Sequence, residues 1–276
     1  MAISIASGIT LGALQRRPLL DPVDQRILVC HALGITRTAL ITQSERVLSD
    51  DEAARITQLL QRREQGEPVA YIVGSREFYG LPFETTPAVL IPRPDTELLV
   101  ELALERLPPR GRALDLGTGS GAIAVALAHT RPDAAVTALD VSSEALAVAG
   151  RNAQRNGAHV RFLHSDWFAA VDGETFDLIV SNPPYIADGD RHLSEGDLRF
   201  EPSGALTDFA DGLSALRTLV DGAPSHAAPG TWLLMEHGYD QAEAVRKLLS
   251  AAGYTEVASW KDLAGIERVS GGRVHG

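Results

Sequence analysis

Cysteine is nearly missing from this chain: Cys30 is the single one in 276 residues. An internal disulfide and a multi-cysteine metal centre are therefore excluded, and inside the apolar run Ile27-Leu28-Val29-Cys30-His31-Ala32-Leu33 the thiol reads as a helix-core group. The histidines show no metal-ligand spacing, so no metal is expected. Lysine is nearly as scarce. Lys247 and Lys261 are the only two among 25 basic residues, which face 36 acidic ones for a net charge of −11. Proteins that grip duplex nucleic acid neutralise phosphates with a basic face, so this balance argues against a nucleic-acid partner. Long apolar runs are also wanting: nothing approaches the ~18 residues of a membrane span. The short apolar N-terminal stretch is followed, not preceded, by Arg16 and Arg17, the reverse of a secretory leader. A cytoplasmic protein with no membrane partner is expected. No nucleophile elbow, phosphate-binding Gly-Lys-Ser/Thr turn, internal repeat or low-complexity tract is found.

What is present falls into three textures. Residues 1–67 carry few strand signals and read as a small helical domain, with helices over 24–33 and 51–63; Ala53, Ile56, Leu59 and Leu60 share one face of the second. Gly34 suits a helix stop, and Ser49 or Asp50 an N-cap. Residues 68–94 turn to aromatics, prolines and short alternating runs, which predicts a β-hairpin linker around Gly80-Leu81-Pro82. From residue 95 to 276 helical and strand-like segments alternate, with strands at 113–116, 135–140, 160–163, 176–180 and 231–235. Two further strands, 256–261 and 267–274, close the chain. That rhythm predicts a doubly wound, Rossmann-like α/β domain with an antiparallel C-terminal edge and a site at the carboxyl ends of its strands.

Two motifs carry chemistry. Asp115-Leu116-Gly117-Thr118-Gly119-Ser120-Gly121-Ala122 joins a strand to an Ala-rich helix, and its glycines permit a tight turn and close backbone approach by a ligand. Asp140 ends the following strand, where a carboxylate can accept from ribose hydroxyls. A dinucleotide would satisfy this turn equally well. Three features tilt the choice. Asp115 suits an ammonium or sulfonium ligand better than a pyrophosphate; Asp166 and Trp167 follow the third strand, placed to hold an adenine amine and ring; and Ser181-Asn182-Pro183-Pro184-Tyr185 follows the next strand. Pro183 and Pro184 lack N–H groups and stiffen the chain. The segment thus presents acceptors, the Asn182 side-chain oxygen and neighbouring carbonyls, which match the two hydrogens of a planar NH2 group. A stiff loop with no ligand would carry the same residues, and Asp166 and Trp167 would equally serve as a helix cap and a core indole.

The glycine turn together with Asn182-Pro183-Pro184-Tyr185 resembles the Asn-Pro-Pro-Tyr class of amino-methyltransferases. The segments 68–74, 76–81 and 89–97, with Arg199-Phe200-Glu201-Pro202, Glu236-His237-Gly238 and 267–273, are similar to the release-factor glutamine N5-methyltransferases. The resemblance implies S-adenosylmethionine as cofactor and the Gly-Gly-Gln glutamine of a peptide chain release factor as substrate. It also implies that the 91–94 segment and Thr96 lie near the cofactor. On that footing Asn182, Pro183, Pro184 and Tyr185 are the expected catalytic and substrate-binding residues. Asp115, Gly117, Thr118, Gly119, Ser120, Gly121, Asp140, Asp166, Trp167 and Asn182 are the expected cofactor-binding ones. A monomer is expected. The alternative is an adenine N6-methyltransferase, which shares the acceptor motif and would have to take a flipped base.

Overall fold

The computed structural model describes residues 3–275, which divide into two compact units, one ending at Gly74 and the other starting at Ser75. The first holds five helices: α1 (Leu11–Arg16), α2 (Pro22–Leu33), α3 (Arg37–Thr42), α4 (Asp50–Glu64) and α5 (Val69–Val73). Each boundary has a local cause. Asp21 caps α2 by accepting from the Val23 and Asp24 amides, and Gly34 ends it in the left-handed region at φ 63°. Ser49 and Glu52 form a reciprocal capping box at the start of α4. Leu11, Leu28, Leu40, Ile56 and Leu60 make a fully buried core for this unit. The run Val69-Ala70-Tyr71-Ile72-Val73 has strand-like composition yet forms a helix, started by Pro68 and stopped by Gly74 at φ 75°.

In the second unit, β1 (Ser75–Phe78) and β2 (Leu81–Glu84) form a hairpin. Its two-residue turn, Tyr79 (φ 52°) and Gly80 (φ 73°), has positive φ at both positions, the twist that matches right-handed strands. There follow α6 (Glu97–Arg106), β3 (Arg112–Leu116), α7 (Ala122–Thr130), β4 (Ala135–Asp140), α8 (Ser143–Arg155), β5 (Val160–His164) and β6 (Phe176–Ser181). The rest is α9 (Ser203–Leu206), α10 (Ser214–Gly222), β7 (Ala227–Glu236), α11 (Ala242–Ala251), β8 (Thr255–Lys261) and β9 (Glu267–Arg273). Seven strands form one sheet in the order β5-β4-β3-β6-β7-β9-β8, parallel except for β9, which runs antiparallel to both neighbours. The expected doubly wound domain, antiparallel edge, hairpin and preceding helices are all present.

Alternation along the strands builds a core on each face. Ala113, Leu178 and Val180 meet α6 and α7 on one side; Leu114, Leu116 and Ile179 meet α10 and α11 on the other. Helix α7 is buried from Ala122 to Ala128, and its small side chains let it lie close to the sheet. The hairpin is tied to α8 by buried Asn152. Its Oδ1 accepts from the Glu84 amide at 2.6 Å, and its Nδ2 donates to the Ser120 carbonyl at 2.9 Å and the Glu84 carbonyl at 3.2 Å. One side chain thus links hairpin, helix and glycine turn.

Asn152→Ala leaves these backbone groups without their partner, so a loss of about 2–3 kcal/mol is expected in urea unfolding of the whole chain. An unchanged midpoint would contradict this role.

Candidate active site

Strand register assembles the site. Leu116 on β3 lies opposite Leu139 on β4 and Ser181 on β6, and Asp140 lies opposite His164 on β5. Paired strands run about 4.8 Å apart. The residues that follow each pairing, among them Gly117, Ser165 and Asn182, therefore emerge side by side on one rim. The Ser181 hydroxyl fastens this arrangement by donating to the Leu116 carbonyl at 2.7 Å.

The glycine turn is held by its neighbours. Gly117, Gly119 and Gly121 have φ of 69°, 55° and 82°, a run that residues with side chains rarely adopt. A Cβ on Gly121 would also stand 3.0 Å from the Ala149 Cβ. The Thr118 amide donates to the Leu139 carbonyl at 2.9 Å. Asp140 braces the turn from the next strand, accepting from the Gly119 amide through Oδ2 and from the Ser142 amide through Oδ1, both at 2.8 Å. Burial pushes its carboxyl up against these hydrogen bonds.

A cavity of roughly 280 Å³ lies over this rim, walled by apolar side chains such as Val89, Leu90, Ile123, Leu139 and Val141. Of the expected cofactor residues, Gly117, Thr118, Gly119, Ser120, Asp140, Asp166, Trp167 and Asn182 line it. Asp166 does not act as a side-chain helix cap, and its exposed carboxylate has no partner among the described residues. Trp167 has φ 45°, a left-handed conformation unusual for a bulky residue. Its turn is held by the Ser165 hydroxyl, which donates to the Trp167 carbonyl at 2.7 Å and accepts from the Ala170 amide at 3.0 Å. The lining joins an apolar slot with carboxylate acceptors to a backbone turn at a helix start. A ligand with adenosine at one end and an amino acid at the other fits this donor set.

Asp115 and Gly121, also expected at the cofactor, are not among the residues that line the cavity. Asp115 is fully buried beneath the turn, its Oδ2 accepting from the Thr118 hydroxyl at 2.6 Å. Burial raises its carboxyl to about 7. Gly121 sits at the start of α7, packed on Ala149. Both shape the turn from behind.

The acceptor motif shares the same cavity, through Asn182 and Pro184. Asn182 Nδ2 donates to the Thr96 hydroxyl oxygen at 3.2 Å, which leaves Oδ1 without a protein partner among the described residues. Pro183 is buried. Tyr185 does not line the cavity: it packs on the cluster beneath β6 and β7, and its hydroxyl donates to Glu236 Oε1 at 3.3 Å. Its carbonyl accepts from Gln241 Nε2 at 2.9 Å, and Gly212 approaches so closely that a Cβ there would stand 2.7 Å from that oxygen. These contacts fix the stiff segment from below.

The far wall comes from Pro92, Arg93 and Thr96, from Pro202 at the end of the Arg199-Phe200-Glu201-Pro202 motif, and from Gly204 and Ala205, which the sequence reading did not single out. Glu201 joins the two pieces. Its buried carboxylate accepts from the Ile91 amide at 3.1 Å and pairs with Arg93. The motif Arg199-Phe200-Glu201-Pro202 was the available signal for it, but the partner lies far away in sequence.

A family model for the methyltransferase small domain matches residues 94–198, and one for a PrmC N-terminal domain matches residues 16–74. The chain is similar to the release factor glutamine methyltransferase of Burkholderia pseudomallei, at 57% identity over 97% of each chain. It is 52% identical to that of Neisseria gonorrhoeae, covering 92% of this chain and 94% of the relative. Among solved structures, a methyltransferase from Pyrococcus furiosus is similar in fold, with a TM-score of 0.55 at 23% identity over 79% of this chain and 98% of that one.

Asp140→Ala removes the brace on Gly119 and a carboxylate that lines the cavity, so titration calorimetry with S-adenosylmethionine is expected to show at least about tenfold weaker binding; unchanged affinity would contradict a role for Asp140 in holding the cofactor. Asp115 has its own pH signature. A carboxyl raised to about 7 in the fold keeps its proton where the unfolded chain, ionising near 3.9, has lost it. Its contribution to stability is therefore present at low pH and lost as pH rises from about 4 to about 7. Relative to the parent, Asp115→Asn is expected to gain on the order of 4 kcal/mol across that window in cofactor-free unfolding, and a pH-independent difference would contradict the burial argument.

Proposed function

The chain belongs to the release factor glutamine methyltransferase family, and we propose that it methylates the side-chain amide nitrogen, N5, of the Gly-Gly-Gln glutamine in a peptide chain release factor at the rim formed by Asn182 and Pro184. The observation that carries this reading is the state of Asn182. Its NH2 is committed to Thr96, its oxygen has no partner among the described residues, and it shares one cavity with the glycine turn.

An amide nitrogen is a poor nucleophile because its lone pair is delocalised into the carbonyl. The glycine turn, Asp140, Asp166 and Trp167 would hold S-adenosylmethionine, which would supply the electrophilic methyl. The protein's task is to aim the nitrogen and bias its electrons. Asn182 Oδ1 and a carbonyl of the Pro183-Pro184 segment each accept one N–H of the glutamine amide, which orients the nitrogen and favours a pyramidal, more nucleophilic form. As the nitrogen becomes positive in the transition state, these fixed acceptors stabilise it more than the ground state. Positioning adds to this. The surplus proton leaves to water afterwards. Tyr185 serves by anchoring the shelf and not by stacking on the substrate.

We assign docking of the release factor to the helical unit, the part of the chain that matches the PrmC N-terminal domain model. No helix among the described residues is long and apolar enough to cross a membrane. With a release factor as substrate, the cytoplasm is the place of action. The acidic charge of the chain favours a protein substrate over nucleic acid.

With release factor and labelled S-adenosylmethionine, Asn182→Ala is expected to lower kcat by at least about 10-fold and up to about 10²-fold. Transfer at near the parent rate, or label appearing on DNA and not on release factor, would contradict this function.

A further inference from the structure

Glu236 is a buried acid with no part in the mechanism so far. It ends β7, and the register between β6 and β7 pairs Ser181 with Met235, so Glu236 emerges next to Asn182 on the same rim. It is 2% exposed. The Tyr185 hydroxyl donates to its Oε1. Among the described residues Oε2 accepts no hydrogen bond of ordinary geometry, and the Thr96 hydroxyl is near enough to the carboxylate to favour its charged form. Thr96 is also the residue whose oxygen accepts from Asn182 Nδ2 at 3.2 Å.

A hydroxyl has one proton to give. If Thr96 gives it to Glu236, its oxygen faces Asn182 as an acceptor, and Asn182 must answer with its NH2. Its oxygen then points to the cavity. If Glu236 were neutral, it could donate to Thr96. The Thr96 proton would then be free for Asn182 Oδ1, the amide would turn over, and an NH2 would face the substrate NH2. Two donors meeting repel, and the site would be inactive.

We propose that Glu236 is a positioning residue for the transfer: by taking the Thr96 and Tyr185 hydroxyl protons, its carboxylate sets the direction of the Glu236-Thr96-Asn182 chain and so turns Asn182 Oδ1 toward the substrate amide. This rests on the acceptor role given to Asn182 above.

The chain is sensitive to pH, because the ionised carboxylate is the working form. Burial, with Asp95 alongside, raises Glu236 to about 7, while the hydroxyls of Thr96 and Tyr185 and the Arg268 guanidinium from β9 hold it down. Arg268 is itself shared, lying 3.7 Å from Asp95 and 3.4 Å from Asp262, and it neutralises the acid only in part. Arg93 is the further charge that acts on Tyr185. As pH falls through about 7, Glu236 takes up a proton and the active orientation is lost.

The test is methylation of release factor from pH 6 to 9 by the parent chain, Glu236→Gln, Thr96→Val, Thr96→Ser and Asn182→Ala, with cofactor binding measured by calorimetry for each. Glu236→Gln supplies an NH2 to Thr96 and reverses the chain. It is expected to lower kcat at least about 10-fold, leave cofactor affinity within about 2-fold, and erase the acid limb near pH 7 seen for the parent. Thr96→Val should lose kcat alike, and Thr96→Ser should restore it, which also covers the case that the Glu236 variant does not fold. If Glu236→Gln keeps the parent kcat and acid limb while Asn182→Ala is inactive, the positioning role is overturned and the acceptor reading stands. An active Asn182→Ala would remove the premise and the proposal with it.

Discussion

The parallel register at the centre of the sheet is the constraint on which the site depends. Leu116 is paired with Leu139 on one side and Ser181 on the other, and Ser181 is paired in turn with Met235. The glycine turn, Asp140, Asn182 and Glu236 each follow directly after one of these pairings. Because strand side chains alternate, a slip of one residue would carry each of them to the opposite face, so the same apolar alternation that buries the two cores also fixes the geometry of the rim. Stability and function share one set of constraints here.

Around that rim, buried polar side chains do the fastening. Asn152 joins the hairpin to the glycine turn, Asp140 braces the turn from the next strand, and Glu201 ties the 91–93 segment to the wall at 202–205. Each is a polar group taken out of water and matched to a backbone amide or an arginine. An unmatched buried polar group is costly, so each of these links has a narrow set of tolerated geometries. Proline stiffening at 183–184 does the same without hydrogen bonds. The outcome is an acceptor shelf with little freedom, suited to a reaction in which the substrate nitrogen must be aimed.

The layout of strands and helices was legible because its signals are local. Apolar runs, Gly34 at a helix end and the Ser49-Glu52 cap say what they form without reference to distant contacts. The glycine turn and the Asn-Pro-Pro-Tyr motif were legible for the same reason. The helix at Val69–Val73 was not, since its β-branched and aromatic composition favours a strand and only Pro68, Gly74 and burial of Tyr71 and Ile72 decide otherwise. Nor was the inward turn of Tyr185 or the burial of Asp115 behind the turn legible. Both depend on which strand end lies alongside, and partners such as Glu236 for Tyr185 are set by sheet order, which the local pattern does not encode.

All of this converges on the direction in which one amide points. A crystal structure of the chain with S-adenosylhomocysteine and a glutamine-containing release-factor peptide tests it most directly. The account predicts the glutamine nitrogen within hydrogen-bond distance of Asn182 Oδ1, with Asn182 Nδ2 still on Thr96 and the nitrogen facing the sulfur across the cavity. A glutamine held elsewhere, or an Asn182 whose NH2 faces the substrate, would contradict it.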